Sequence, residues 1–435
     1  MPVNVCAFGD SITYGNRDPI HRPVLRFGLN YTPSRTWYYM WNDWDRHMVL
    51  QDFKAMESLG VDHARVQLIW PWFQPNPTYV SPGHMLRLKE LMQIANDTGI
   101  DVTLCPLTGW LSGYTYLPSG VQGAAVFTDA KVITSERLFL RRLLETVAEL
   151  PNFMGLDLGN EINCLCHDLP AAEGDAWANG LLQFIHGLAN DVCVVNGVDH
   201  SPWMSGSTFS PSHLANAYGM IALHCWPRFT GCLRRGSLTD AASVHLTEFF
   251  CHWARFFSRA PERPLWIQEY GCSDSWGTDA ERATYLRRGM DLGVRAGAAA
   301  FTFWCSHDKT SDIEFEPDEY HYGLFTPDNK PKHLAGVYRE IIQEFRGRPV
   351  EPHPYSQANC LLTLPDTFSP RRSPEEGKTG DWIEENFAKD LWKAYAPFLE
   401  QIAAGRRPAL VRESELAMLN ADRQKSVINL AHVVQ

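Results

Sequence analysis

Two glutamates, each near the end of an apolar run, are the residues best suited to paired acid and base chemistry. Glu161 ends residues 155–161, and Glu269 stands two places before the end of residues 265–271. One carboxyl that keeps its proton and one that is ionised can together cleave a glycosidic bond, the first as acid and base and the second as nucleophile. Retention of the sugar's configuration requires the two groups to lie about 5 to 5.5 Å apart. The pair therefore predicts a retaining glycosidase, provided that the fold brings the two runs together.

Alternating strand and helix patterns are what must position this pair. The eight predicted strands are residues 26–31, 63–70, 101–107, 153–161, 201–207, 220–226, 264–270 and 298–304. Helical spacing of apolar residues predicts helices over 48–59, closed by Gly60, and over 86–96, 135–150, 177–195, 246–258, 280–296 and 332–345. Eight such units predict an α/β fold, a (β/α)8 TIM barrel, with an open doubly wound sheet as the alternative. Glu161 and Glu269 would then follow strands four and seven, at the barrel face that carries active sites.

The chain divides into a barrel and two extensions. We assign residues 1–25 to an N-terminal extension, 26–348 to the barrel, and 349–435 to a C-terminal extension with a helix. Residues 349–380, rich in Pro, Ser and charge, are predicted to be a surface excursion. The helix is predicted to begin at Asp381, to bend at Pro397 and to end at Gly405. Its apolar stripe (Trp382, Phe387, Leu391, Trp392, Tyr395, Phe398 and Ile402) is predicted to pack on its own barrel, with contact in a homo-oligomer as the alternative.

The composition argues against several classes of partner. The 435 residues carry a net charge of -11 without a block of Lys and Arg, so we expect no nucleic acid partner. No apolar run reaches about 18 residues and the first residues lack the pattern of a secretion signal, so we expect no membrane partner and a cytoplasmic location. The 11 cysteines have no framework spacing and are expected to be reduced. Cys164, Cys166 and His167 lack a second ligand pair, so we expect no metal and no cofactor.

The segments around the two glutamates resemble a known family. Asn160-Glu161 and Glu269 are similar to the acid/base and nucleophile motifs of glycoside hydrolase family 5, in the clan of (β/α)8 retaining glycosidases. The resemblance covers about residues 26–346. Its other matching features are Arg65 in strand two, His224 at the end of strand six, Trp304 in strand eight, and the segments 322–325 (YGLF) and 328–332 (DNKPK).

The resemblance implies a role for each of these residues. Glu269 would be the nucleophile, held anionic by Arg65, and Glu161 would be the acid/base, its proton retained by partial burial and by neighbouring negative charge. Asn160 would bind the sugar 2-hydroxyl, and Trp304 would form a flat apolar platform under the reacting sugar. Three further tryptophans are candidates for the walls of the site, with core packing as the alternative for each: Trp70, Trp110 and Trp226. For His224 the alternative to a site role is a core histidine with its hydrogen bonds satisfied.

Two departures from the family pattern affect the choice of substrate. The family's His-x-Tyr at strand six is His224-Cys225-Trp226 here, and an indole N–H can donate a hydrogen bond but cannot accept one. The family's histidine at the end of strand three is missing, since the predicted tip reads Cys105 to Trp110. These changes leave the predicted reaction type intact.

The sugar is suggested by resemblance alone. Residues 28–34 and 37–41 and the long loop 306–322 look like the family 5 subgroup of exo-β-mannosidases that cleave mannosyl-β-1,4-N-acetylglucosamine, the core disaccharide of N-glycans. The expected partner is therefore an oligosaccharide substrate in a short, blocked cleft, with the acidic loop 312–319 near its mouth. An endo-β-1,4-mannanase, a β-glucosidase or a β-glucanase would use the same two glutamates, and a catalytically inactive carbohydrate-binding barrel is a further alternative.

Residues 8–12 (FGDSI) resemble the nucleophile block of the SGNH esterases, which would make Ser11 catalytic. Those esterases also need a Gly-x-Asn-Asp block, and none of the Asn-Asp pairs in this chain has glycine two places before it. An Asp-x-x-His pattern exists at Asp318 and His321, but it falls in the loop after strand eight. We therefore predict that Ser11 is a turn or cap residue in the N-terminal extension.

Overall fold

Eight parallel strands form the centre of the computed structural model, which describes residues 24–260, 262–351, 355–371, 388–420 and 424–432. Strands one to eight are Arg26–Asn30, His63–Ile69, Asp101–Thr108, Phe153–Asp157, Cys193–Val195, Ile221–His224, Leu265–Tyr270 and Ala298–Phe303. They are hydrogen-bonded in the order 5-4-3-2-1-8-7-6, so strand one pairs with both strand two and strand eight. Between strands five and six, the Gly219 N–H donates to the Val194 carbonyl at 3.4 Å. This nearly closed ring confirms the predicted TIM barrel.

The predicted fifth strand is wrong. Residues 201–207 do not form a strand, because His200–Ser205 is a short helix whose N-cap Asp199 accepts a hydrogen bond from the Ser201 N–H. The actual strand, Cys193–Val195, lies in the stretch predicted to end the preceding helix, which is Ala171–Leu188. A strand of three residues is too short to show an alternating pattern, whereas helical spacing extends through it.

The barrel helices pack around the strands, and four of the longer ones begin at a residue whose side chain caps the helix. The longer ones are Arg46–Ser58, Pro82–Asp97, Ala130–Val147, Ala171–Leu188, Leu246–Phe257, Asp279–Arg295 and His333–Phe345. Asp45 caps the first of them, and Gly60, with a φ of 80°, follows its end as predicted. The shorter helices are Trp70–Phe73, Ala125–Thr128, His200–Ser205, Pro211–Asn216, Cys232–Arg235 and Ala241–Val244, with 3-10 turns at Trp37–Trp41, Ile162–Leu165, Asp274–Trp276 and Pro317–His321. In the described ranges, no helix is both long enough and apolar enough to cross a bilayer.

A second, three-stranded parallel sheet follows the barrel. Cys360–Leu364 lies at its centre, paired with Pro408–Arg412 on one side and Ser426–Asn429 on the other. The prediction of a surface excursion over 349–380 is therefore wrong for residues 360–364, which are fully buried. Short turns at Glu413–Glu415 and Leu416–Leu419 connect the two outer strands. The unit touches the barrel where the Arg412 guanidinium donates to the Phe256 carbonyl at 2.7 Å.

The C-terminal helix, Lys389–Ala403, packs on its own barrel as predicted. The Trp392 indole donates to the Thr230 carbonyl at 2.7 Å, and the Tyr395 hydroxyl donates to the Ala242 carbonyl at 2.6 Å. Pro397 lies within the helix, and Gly405 follows its end with a φ of 74°. The predicted helix start at Asp381, with Trp382 and Phe387, lies outside the described residues, as does the Ser11 segment.

Candidate active site

A cavity of about 360 Å³ lies at the carboxyl ends of the barrel strands. The predicted site residues among its lining are Trp110, Asn160, Glu161, Trp226, Glu269 and Trp304. These residues follow or end strands three, four, six, seven and eight. The barrel thus brings together side chains that are more than 190 positions apart in sequence.

Glu269 is held by donors on both of its carboxylate oxygens. The Arg65 guanidinium lies 2.9 Å from Oε1, and the Trp226 indole N–H donates to Oε2 at 3.1 Å. The predicted contact with Arg65 is present, and the indole supplies the donor in place of the family's phenol. The Glu269 side chain is only 4% exposed, so both bonds lie in a region with little water to screen them.

Arg65 is itself fixed by further acceptors. It projects from strand two, is fully buried, and donates to Asp157 Oδ2 at 2.9 Å and to Asn30 Oδ1 at 3.0 Å. Asp157 also accepts from the Gly197 N–H at 2.7 Å. A Cβ at Gly197 would lie 2.2 Å from the Gln268 side-chain oxygen and 2.3 Å from Asp157 Oδ2, so a larger residue would displace both of these buried side chains. Gly197 was not predicted from the sequence, although it supports the charge network under Glu269.

Glu161 stands just beyond strand four in a strained backbone conformation. Its φ of 41° and ψ of 43° are left-handed, and its N–H donates to the Gly197 carbonyl at 2.8 Å. Its Oε1 lies 2.8 Å from Nδ1 of His224. One carboxylate oxygen of Glu161, one of Glu269 and a ring nitrogen of His224 lie within 4.8 Å of one another. Non-glycine residues with positive φ cluster at functional sites, where the surroundings compensate for the strain.

The two carboxyls differ in how readily they ionise. Burial, and after it the negative charge of Asp199, raise the pKa of Glu161 to about 8. Burial also raises the pKa of Glu269 to about 7, against the opposing effect of the donors around it. The lowering expected from Arg65 is thus outweighed by burial. The order of the two values still leaves Glu161 as the carboxyl that keeps its proton to higher pH.

The hydrogen bonds of His224 agree with a proton on Glu161. Its Nε2 lies 3.0 Å from the side-chain oxygen of Gln268, which can only accept, so Nε2 carries the hydrogen. Burial lowers the pKa of His224, which favours a neutral ring with an unprotonated Nδ1. The hydrogen between Nδ1 and Glu161 then belongs to the carboxyl. With Gln268 oriented in this way, His224 therefore stabilises the acid form of Glu161.

Comparison with solved structures finds the same fold in several glycoside hydrolases. A family 5, subfamily 18 glycoside hydrolase from Streptomyces cattleya, in complex with mannosyl-β-1,4-N-acetylglucosamine, is 27% identical with a TM-score of 0.81, over 94% of this chain and 100% of that one. A subfamily 18 enzyme from Bifidobacterium longum subsp. infantis is 25% identical with a TM-score of 0.80, over 93% and 96%. An exo-β-1,4-mannosidase from Opitutaceae bacterium strain TAV5, at 20% identity and a TM-score of 0.76 over 94% and 72%, shares the fold.

Comparisons with protein families and with curated proteins each gave no match. The likeness to the two subfamily 18 enzymes extends over nearly all of each chain compared. It is found in a chain that also has the carboxyl pair described above. The chain is a glycoside hydrolase whose fold is similar to that of family 5 enzymes.

The other predicted site residues divide into three that line the cavity and one that does not. Asn160 donates from Nδ2 to the Trp110 carbonyl at 3.1 Å, while its buried Oδ1 accepts no hydrogen bond from the described residues. Trp110 and Trp304 line the cavity, as predicted. Trp70 does not, because it is fully buried in the helix Trp70–Phe73 and its indole donates to Gln74 at 2.8 Å. The prediction that Trp70 binds substrate is therefore wrong, and its role is core packing.

Several lining residues were not predicted from the sequence. Asp199 and His200 follow strand five, whose position was predicted wrongly, whereas Arg228 and Phe229 follow strand six, which was predicted at residues 220–226. The real strand end at Val195 would have directed attention to the polar residues just after it. The acidic loop after strand eight is at the cavity as predicted, through Glu316, Asp318 and Glu319.

Two clusters within the described residues combine side-chain types that can bind metals. They are Glu161, His224 and Glu269, and a second group of Asp274, Asp308 and His321. In the second group the Lys332 ammonium lies 2.8 Å from both aspartates and supplies the positive charge there. In the first group, both Glu269 oxygens already contact hydrogen-bond donors, namely Arg65 and Trp226. These contacts suit a carboxyl pair that takes part in acid and base chemistry.

Proposed function

We propose that this glycosidase removes β-1,4-linked mannose from the non-reducing end of short oligosaccharides, with retention of configuration. Mannosyl-β-1,4-N-acetylglucosamine from N-glycan cores is the proposed substrate. The observation that carries the proposal is the approach of Glu161 and Glu269 to within 4.8 Å in unequal surroundings. An inverting enzyme holds its carboxyls about 6.5 to 9.5 Å apart to admit water, which favours retention here. The bound disaccharide in the Streptomyces cattleya enzyme supports the choice of sugar.

The proposed reaction has two displacements. Glu269 attacks the anomeric carbon while Glu161 gives its proton to the departing sugar oxygen, which leaves a glycosyl ester on Glu269. Glu161 then takes a proton from water, which hydrolyses the ester and restores both groups. Arg65 and the Trp226 N–H orient the attacking carboxylate, and the free oxygen of Asn160 is available to the sugar 2-hydroxyl.

We infer the orientation of the substrate from the proposed proton donor, because Glu161 must face the leaving group. Among the acidic residues that line the cavity, Asp199 acts most strongly on Glu161 through its charge, so we place the leaving sugar toward the loops after strands five and six, which carry His200 and Phe229. The mannose then lies toward the loops after strands three and eight, beside Ser112, Trp304 and Glu319.

A link between two loops on the mannose side supports exo action. The Lys309 ammonium donates to the Ser112 hydroxyl at 2.7 Å and pairs with Glu319, and its side chain is 1% exposed. Lys309 also lies 4.2 Å from the centre of the Phe315 ring. Ser112 belongs to the turn between the short antiparallel strands Trp110–Leu111 and Tyr114–Thr115. Because Lys309 joins the two loops, this side of the cavity favours a pocket for one terminal sugar over the open groove of an endo-acting enzyme.

The proposal is tested by following the products of the purified enzyme by proton NMR. We expect it to cleave mannosyl-β-1,4-N-acetylglucosamine and 4-nitrophenyl β-mannoside, to release β-mannose first, and to leave mannan and cellobiose uncut. Release of α-mannose first would contradict retention, and faster attack on mannan would contradict exo action. Activity on cellobiose alone would instead assign a β-glucosidase. The cytoplasmic location and a homo-oligomer remain predictions, to be checked by cell fractionation and by size-exclusion chromatography with light scattering.

A further inference from the structure

His200 is a buried side chain at the cavity whose two ring nitrogens lack a partner among the described residues. The residue is 3% exposed and begins the short helix after strand five. Buried polar groups in proteins are almost always hydrogen-bonded, so an imidazole with neither nitrogen satisfied by the described residues points to a ligand as its partner. The ring stacks on Phe229 with a centroid distance of 5.8 Å and an angle of 5°. Packing therefore fixes the ring while leaving its nitrogens available.

The neighbouring Asp199 is committed to the protein. Its Oδ1 accepts from the Asn163 amide at 2.7 Å, from the Ser201 N–H at 2.7 Å and from the Ser201 hydroxyl at 2.6 Å. Its Oδ2 faces the Cys164 thiol at 3.5 Å. Both oxygens thus have protein partners, and the carboxylate's effect on the reaction is through its charge near Glu161. Of the two adjacent polar residues, His200 is the one with hydrogen bonds left to make.

The chemistry of a neutral imidazole suits a sugar. Burial lowers the pKa of His200, so near neutral pH the ring offers one N–H donor and one acceptor. A sugar hydroxyl can satisfy either nitrogen, and an acetamido group can accept from one through its carbonyl. His200 lines the same cavity as the proposed proton donor Glu161, and the charge of its neighbour Asp199 acts on that carboxyl and raises its pKa.

We propose that His200 binds the sugar in the leaving-group position and thereby sets a preference for disaccharides over aryl glycosides. The inference rests on the proposed function, because that function determines which side of the cavity holds the leaving group. A site built to hydrogen-bond a substrate group discriminates strongly against substrates that lack it, since its own polar atoms are then left unpaired.

The test compares substrates that differ only in the leaving group. The variant His200→Phe keeps a ring to stack on Phe229 and removes both nitrogens, and His200→Gln keeps one donor group and one acceptor. We expect His200→Phe to lower kcat/KM on mannosyl-β-1,4-N-acetylglucosamine about 10- to 100-fold, and on 4-nitrophenyl β-mannoside less than about threefold. His200→Gln should recover part of the loss. Product inhibition by N-acetylglucosamine should weaken in parallel in His200→Phe.

The outcomes separate the two proposals. A loss on mannosyl-β-1,4-glucose as well as on the acetamido sugar would assign the contact to a hydroxyl, and a loss on the acetamido sugar alone would assign it to the acetamido group. Equal losses on the aryl mannoside, or no loss on either disaccharide, would overturn the role of His200. Wild-type enzyme that cleaves no mannoside would contradict the proposed function instead, and a glucosyl disaccharide with its aryl glucoside would then carry the same comparison. If His200→Phe fails to fold by circular dichroism, His200→Leu replaces it.

Discussion

The surroundings of the two carboxyls differ in hydrogen bonding and exposure as well as in charge. Glu269 lies within strand seven, its side chain is 4% exposed, and it has a guanidinium on one oxygen and an indole N–H on the other. Glu161 lies beyond its strand in a left-handed conformation, is 18% exposed, and faces the neutral ring of His224. A nucleophile must keep one orientation and give up its proton, whereas an acid must keep its proton and reach a departing oxygen. The barrel thus gives different environments to two carboxyls that each have an oxygen within 4.8 Å of the other.

Removing each carboxyl in turn tests this difference and should have the largest effect on turnover. We expect Glu269→Ala to lower kcat by at least about 10⁴-fold on every substrate, because no other group can form the ester. Glu161→Ala should be nearly as slow on a disaccharide but much faster on 2,4-dinitrophenyl β-mannoside, whose leaving group needs no proton. Added azide should give α-mannosyl azide with Glu269→Ala and β-mannosyl azide with Glu161→Ala, as identified by NMR. Reversed products would exchange the two roles, and the exposed Glu173→Ala serves as the control.

Removing the buried cation is the next largest change. Arg65→Met leaves Asp157 and Glu269 without their shared positive charge in a fully buried site. We expect a loss of about 3 to 5 kcal/mol in the free energy of unfolding, measured in urea, since an uncompensated buried charge is costly. Misplacement of Glu269 should slow turnover roughly 100-fold. The double variant Arg65→Met/Asp157→Asn should recover part of the stability, and unchanged stability in the single variant would contradict the buried network.

The pH dependence of kcat/KM tests the order of the two pKa values. The active form needs Glu269 ionised and Glu161 protonated. With pKa values raised to about 7 and about 8, activity should fall about tenfold per pH unit below 7, as Glu269 gains a proton, and above 8, as Glu161 loses one. Glu161→Gln assayed on 2,4-dinitrophenyl β-mannoside should lose the alkaline limb, and an optimum near pH 5 would contradict the effect of burial.

The carboxyl pair could be predicted from the sequence because each member is encoded locally. Glu161 and Glu269 follow apolar runs long enough to be identified as strands, and the regular order of a barrel then determines which strand ends meet. Arg65 could be predicted for the same reason, since it lies within strand two. Burial raises the pKa of Glu269 by more than Arg65 lowers it. This effect could not be predicted, because it depends on the packing of all eight strands around the site.

The part of the cavity formed after strand five could not be predicted for a different reason. Cys193–Val195 has three residues and no distinct period, so the fifth strand was predicted at residues 201–207, which left His200 before the strand instead of after it. The position of Trp70 could not be predicted for a related reason. A tryptophan after an apolar run has the same sequence pattern whether its indole faces a cavity or the core, and the structure distinguishes the two positions through the contact with Gln74.

The smallest expected effect comes from the single neutral donor on Glu269. Trp226→Phe removes the N–H that lies 3.1 Å from Oε2 but keeps Arg65 on the other oxygen. We expect about a 10-fold loss in kcat, since a hydrogen bond to a charged group contributes about 1.5 kcal/mol or more, and a shift of the acidic limb to higher pH. Trp226→Tyr restores a donor of the kind usual in the family and should recover part of that loss. If Phe and Tyr behaved alike, orientation of Glu269 would depend on Arg65 alone, and the indole would act only as a wall of the cavity.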